Sequence, residues 1–289
     1  MSARRFVGDA AVDAWPAGNR LESYGDGLFE TMRVHRGGVP WWRAHWTRLA
    51  HGARQLGLAV PAETLVRDAA TSLFADGGDG VIKLLLGRGG LGRGYAPPAS
   101  APPLWALSRH PLPETTQDLA VRWCRTRLSI QPALAGLKHC NRLEQVLARG
   151  ECEDAGADEG LMLDNDGNVV SAVAANVFVL REGHWSTPPV ARCGVAGVCR
   201  GYLIGLLQAD EATLSMAQVE DADAVFLSNA ARGILPLARL GARTWPPHPA
   251  IADARRLLAG IHPGFAVDAR CPEHAATDGG NDQMKKERS

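Results

Sequence analysis

The chain has 289 residues, of which 46% are hydrophobic and 21% charged. That is enough for one large domain or two medium ones with a core needing no disulfide or metal staples. The formal net charge of +0 favours neither nucleic acid nor an acidic membrane as partner. The N-terminal residues lack the apolar stretch of a signal peptide, no window approaches a membrane span, and the six cysteines form no C-x-x-C pair. A reducing, cytoplasmic setting is the expectation.

In chain order, residues 2–109 read as mixed α/β. Trp42, Trp46, Leu49, Ala53 and Leu56 stand at helical spacing, which predicts a helix over 41–58 with Gly57 as its stop. His45 and Arg48 share one face of it. A second helix is predicted over 61–74 and a buried strand over 81–86. That strand is followed by Gly87, Gly89 and Gly92, a literal G-x-G-x-x-G. The next residues, Gly94-Tyr95-Ala96-Pro97-Pro98, do not start a helix, so a dinucleotide fingerprint is rejected. A loop carrying Arg88 and Arg93 is the better reading, and its arginine forks suit a carboxylate. A short strand over 104–108 lies between the Pro-rich stretches 96–103 and 111–113.

A boundary is placed near 110–118, giving a smaller domain (1–112) and a larger one (113–270), with a disordered tail over 271–289. The larger domain opens with a strand over 119–126. A helix follows over 141–153, with Asn141 as N-cap, Glu144 at N3, and Leu143, Val146 and Leu147 as the apolar face. Strands are predicted over 159–164 and 169–180, joined by a turn at 165–168. A helix over 198–207 begins just after Gly197, where free backbone N–H groups form a potential anion site. A buried strand over 224–227 runs into Ser228-Asn229.

Only four of the 31 basic residues are lysines. Lys285 and Lys286 fall in the polar tail, which leaves Lys83 and Lys138. A lysine amine loses its proton and attacks carbonyls, whereas a guanidinium does not. A Schiff-base lysine, a phosphate-binding helix start and a carboxylate-binding arginine loop together fit a pyridoxal phosphate enzyme.

The segments Tyr24 to Arg33, His45 to Leu49, Arg88 to Tyr95, Leu137 to Gln145, Ala157 to Leu161, Ala174 to Phe178 and Gly194 to Arg200 resemble, in order, those of the class IV (fold type IV) pyridoxal phosphate enzymes. The resemblance implies an α/β (α+β) chain with the two-domain D-amino-acid aminotransferase-like fold. The cofactor would lie in the interdomain cleft, usually in a homodimer. It makes Lys138 the lysine that holds the cofactor. Arg48 and the Gly197, Val198 and Cys199 helix start would bind its phosphate, with Asn229 nearby. Arg93 and Tyr95 would meet a substrate carboxylate. The run K-H-x-N-R-L-E-Q and the R-G-Y triplet point within the family to lyases that convert 4-amino-4-deoxychorismate to 4-aminobenzoate and pyruvate. A D- or branched-chain aminotransferase, or a cofactor-binding protein with weakened catalysis, are the alternatives. One position departs from the family: Ser171 stands where a glutamate would pair with the cofactor's pyridine nitrogen.

Overall fold

The structure, a computed structural model, describes residues 3–90, 94–98, 100–114 and 118–266. Arg93 and the tail 271–289 lie outside the described residues.

The first 110 residues build a five-stranded sheet. Its strands are β1 (Ala3–Val7), β2 (Ala10–Val12), β3 (Gly27–Val34), β4 (Gly80–Gly87) and β5 (Leu104–His110), in the order β2-β1-β5-β4-β3 and antiparallel throughout. A short helix, α1 (Arg20–Tyr24), precedes β3. Two longer ones, α2 (Trp42–Leu56) and α3 (Glu63–Ser72), fall between β3 and β4. Alternation explains β3: Leu28, Met32 and Val34 are buried, while Phe29, Thr31 and Arg33 are half-buried on the other face. The buried set packs with Leu49 and Ala53 of α2 and Val66 and Ala70 of α3. Each such side chain contributes about 1.5–3 kcal/mol of burial free energy. Gly57 closes α2 in the left-handed region, at φ 62°.

The remaining chain forms a nine-stranded mixed sheet. The strands are β6 (Leu119–Trp123), β7 (Glu159–Leu163), β8 (Val169–Ala172), β9 (Asn176–Arg181), β10 (His184–Thr187), β11 (Asp210–Glu211), β12 (Ala224–Asn229), β13 (Gly233–Leu240) and β14 (Arg243–Thr244). The order is β11-β10-β9-β12-β13-β6-β7-β8, with β14 paired to β13. β6 runs parallel to both β13 and β7, and β10 parallel to β11. Its helices are α4 (Leu143–Asp154), α5 (Val198–Leu207), α6 (Met216–Glu220) and α7 (Pro249–Ile261). Valines and leucines of β7, β9, β12 and β13 make one core. Phe178, Phe226 and Trp185 make another, beneath α5 and α7. Among the described residues no helix is long and apolar enough to cross a membrane, and the five described cysteines are free thiols.

Three expectations need correction. The run 169–180 is two strands, because Ala172 N–H bonds to Ala175 C=O at 2.8 Å and turns the chain. Asn141 does not cap α4. The helix starts at Leu143 behind Arg142, and the Asn141 amide instead donates to Gly25 C=O at 3.1 Å. Glu144 accepts the Ser129 N–H at 2.9 Å. Finally, Leu143, Val146 and Leu147 are not inward: they are 77%, 62% and 64% exposed.

Candidate active site

Lys138 sits between the first sheet and the loop that leads into α5. Its segment lies alongside β3: Phe29 N–H donates to Lys138 C=O and Cys140 N–H to Gly27 C=O, both at 2.9 Å. On its other side, Gly136 exchanges backbone hydrogen bonds with Gly194 and Ala196, at 3.1 and 3.0 Å. Arg142 clamps the bend from below, donating to the carbonyls of His139 (2.9 Å) and Leu137 (2.7 Å). The lysine is therefore pinned between the first sheet and the loop that leads into α5.

The Lys138 amine lies 4.2 Å from the centroid of the Phe29 ring. Burial, reinforced by the positive charge of Arg48 and opposed by Glu30, pushes its pKa down to about 7. A substantial fraction is thus unprotonated near neutrality, which both carbonyl attack and proton abstraction require. His139 is pushed down to about 4 by burial and Arg142, so it is neutral there. Burial pushes the Cys140 thiol up to about 11, so it stays protonated.

Helix α5 begins at Gly197, which makes no side-chain cap, so the first backbone N–H groups, those of Val198 and Cys199, are not claimed by a capping side chain. Asn176 holds this turn by donating to Val195 C=O at 3.0 Å. A Cβ on Gly197 would lie 2.1 Å from Asn176 Oδ1, so this position requires glycine. Arg48 reaches the same loop from α2, donating to Ala196 C=O at 3.0 Å. Its other contacts are with Glu30. Arg200 points elsewhere, to Pro188 C=O and Glu211.

Asn229 ends β12, one residue beyond Ser228, which pairs with Asn176. Its amide donates to Ala174 C=O at 3.2 Å, and its oxygen accepts the N–H groups of Ala231 and Arg232. The Ser228 hydroxyl beside it is buried without a hydrogen-bond partner among the described residues. Ser171 is buried in β8, opposite Met162.

The arginine loop divides. Arg88 is not free to clamp a substrate: it bonds Asp26 (2.8 Å) and the carbonyls of Leu56 and Gly57 (2.6 Å each) at the end of α2. Arg20, unnoticed in the sequence, shares Asp26 and donates to the carbonyls of Gly94, Tyr95 and Ala96. Tyr95 is thereby held by its backbone while its ring stays 87% exposed, 5.6 Å from Tyr24. A hollow of about 270 Å³ opens among Arg20, Tyr24, Asp26, Tyr95, His139 and Asn141. A second, of about 250 Å³, lies on the other side of His139, against Arg142 and Gly194. A further hollow, of about 580 Å³, lies between α7 and β13 and contains none of these residues.

Two further residues stand beside this site. Lys83, on β4 opposite Thr31, places its amine 5.5 Å from the same Phe29 ring and adds a second cation to this face. Glu30, which the sequence did not single out, is a buried carboxylate beside Arg48. Only a charge at an inward position of an alternating strand could have signalled it.

Taken together, these residues fit a carbonyl cofactor with a phosphate. Lys138 offers the amine, and Arg48 with the uncapped α5 start offers an anion cup. Glycine leaves the backbone there open to close approach.

The sequence model of "Amino-transferase class IV" matches residues 27–240. An aminodeoxychorismate lyase of Vibrio harveyi is 33% identical over 237 residues, covering 78% of this chain and 88% of that protein. The crystal structure of 4-amino-4-deoxychorismate lyase from Pseudomonas aeruginosa superimposes with a TM-score of 0.81 at 39% identity, covering 89% of this chain and 98% of that one. A branched-chain amino acid aminotransferase of Escherichia coli shares the fold, with a TM-score of 0.81 at 21% identity over 92% of this chain and 97% of that one. The chain belongs to the class IV amino-transferase family, whose enzymes depend on pyridoxal phosphate.

Proposed function

We propose that this protein is a pyridoxal phosphate-dependent lyase that converts 4-amino-4-deoxychorismate to 4-aminobenzoate and pyruvate, a step of folate biosynthesis. The observation that carries the reading is the Lys138 amine, held near neutral pKa where the first sheet meets the α5 anion cup, in a chain 39% identical to a lyase of that name.

Arg48 and the Val198 and Cys199 amides would hold the cofactor's phosphate, and Lys138 would hold its carbonyl carbon. When bound, pyridoxal phosphate draws electron density away from the carbon bearing the substrate's amine. The free Lys138 Nζ takes the proton from that ring carbon. The ring then releases its enolpyruvyl oxygen: the C–O bond breaks, the ring becomes aromatic, and the enolpyruvate takes a proton to become pyruvate. Aromatisation supplies driving force that amino-group transfer lacks. Tyr95 and Arg93 of the same loop meet a substrate carboxylate, with Arg20 steadying the loop through the carbonyls at 94–96.

Ser171 carries no charge that could pair with the cofactor's pyridine nitrogen, so it would strengthen the cofactor's pull on electrons less than a glutamate there would. A lyase would tolerate that better than a transaminase, because aromatisation of the ring supplies part of its driving force. Ser171→Glu is expected to raise amino-group transfer relative to 4-aminobenzoate release, measured on the same preparation. A native protein that transfers amino groups well and releases no 4-aminobenzoate would contradict this.

The division into two domains near residue 112 is proposed from the two sheets, which part between His110 and Leu119. A homodimer is proposed from the outward apolar face of α4, which a second copy would cover. The function is tested by supplying 4-amino-4-deoxychorismate to the holoenzyme. Equal amounts of 4-aminobenzoate and pyruvate are expected. Transfer of the amino group to a 2-oxo acid, with neither product formed, would favour an aminotransferase.

A further inference from the structure

One residue of β3 departs from its neighbours. The inward positions are Leu28, Glu30, Met32 and Val34, and all four are buried. Three are apolar and pack beneath α2. A carboxylate among them is costly unless it is paired and hydrogen-bonded, so its partners account for its presence. They are the two polar residues that α2 directs inward. His45 Nδ1 lies 2.6 Å from Glu30 Oε2, Arg48 Nε donates to Oε1 at 2.8 Å, and an Arg48 terminal nitrogen donates to Oε2.

Arg48 makes one other contact among the described residues, from its remaining terminal nitrogen to Ala196 C=O at 3.0 Å. Three of the five N–H donors of the guanidinium are then used. The two left over are shared between the two terminal nitrogens, the edge of the fork that pairs with two oxygens of one anion. Ala196 directly precedes Gly197, the uncapped start of α5.

We infer that Glu30 is a positioning residue for the cofactor's phosphate: it grips Arg48 along one edge and so fixes the opposite edge of the fork at the start of α5. The inference rests on the pyridoxal phosphate reading above. A long side chain immobilised before its ligand arrives loses less freedom on binding. His45 completes the hold by engaging Glu30 alongside Arg48, and burial keeps water from competing for the carboxylate.

Position and charge act in opposite directions, which makes the inference testable. If Glu30 mattered only as a charge beside Arg48, removing it would strengthen the attraction for an anion. If it positions Arg48, removing it weakens phosphate binding.

The experiment titrates apoprotein with pyridoxal 5'-phosphate and, separately, with pyridoxal, which lacks the phosphate. Absorbance reports the lysine bond in both. Glu30→Gln is expected to weaken binding of the phosphate ester at least tenfold and to leave pyridoxal within twofold of wild type. Arg48→Lys is expected to lose the same discrimination, and adding Glu30→Gln to it is expected to change nothing further. Should Glu30→Gln not fold, Glu30→Asp is the second variant, with a smaller selective loss in the same direction. Equal losses for both ligands, or a phosphate ester bound as tightly as before or tighter, would overturn the inference. A wild-type protein that bonds neither ligand would instead remove the cofactor reading on which it rests.

Discussion

Lys138 shows how one side chain is tuned by its surroundings. Burial and Arg48 lower its pKa to about 7, while Glu30 opposes them. A base works only when unprotonated, so 4-aminobenzoate formation at saturating substrate, where the Lys138 amine is free of the cofactor, should rise with pH through about 7 and level above it. A profile flat from pH 6 to 8 would contradict the assignment. Stability carries a related signature. Glu30 is driven to about 2 although burial alone would raise it, because the charge of Arg48 and hydrogen bonds from His45 and Arg48 outweigh burial. Its folded pKa lies below its ordinary value, so its contribution is present above about 4.5 and is lost as pH falls towards 2. The lysine was legible because lysine is scarce in the chain. Glu30 was not, because nothing in a linear strand shows that an arginine on the next helix will meet it.

At the scale of the element, spacing and a terminal glycine together predicted α2 well, and Gly197 marked the start of α5. It erred in α4. The positions of Leu143, Val146 and Leu147 were correctly read as one apolar face, but that face points to solvent. Periodicity reports that a face is apolar, not what covers it. The structure pairs the opposite face, with Ala148 and Cys152, against the second sheet. If a second copy of the chain covers the outer face, Leu147→Glu removes about 1.5–3 kcal/mol of burial and adds a charge. The dimer's dissociation constant should rise at least tenfold, as read by sedimentation. A dissociation constant unchanged from wild type would show that the subunits associate elsewhere. The break of the 169–180 run went unread for a related reason: Val173-Ala174-Ala175 contains no glycine or proline to mark its turn.

At the scale of the whole molecule, the site depends on residues far apart in sequence meeting between two sheets. Lys138 bonds to β3 on one side and its neighbour Gly136 to the α5 loop on the other. Arg48 crosses from α2 to Ala196. Asp26 joins Arg20, Arg88 and the end of α2 to the Tyr95 loop. The α/β class, the scarce lysine and the glycine-led start of α5 were readable from local patterns, and the ordered segments pointed to the family. The order of strands, the diversion of Arg88 to Asp26 and the closeness of Lys83 to Phe29 were not, because each depends on pairings that no local pattern encodes. The proposed role of Lys138 is the proton transfer of a lyase. It is tested most directly by measuring release of 4-aminobenzoate from 4-amino-4-deoxychorismate by wild type and Lys138→Arg, side by side and with saturating cofactor. Arginine keeps the positive charge but stays protonated, so the variant should fall by about 10²–10⁴-fold or more, the usual range for a lost acid–base group. A variant retaining activity within tenfold of wild type would contradict the account.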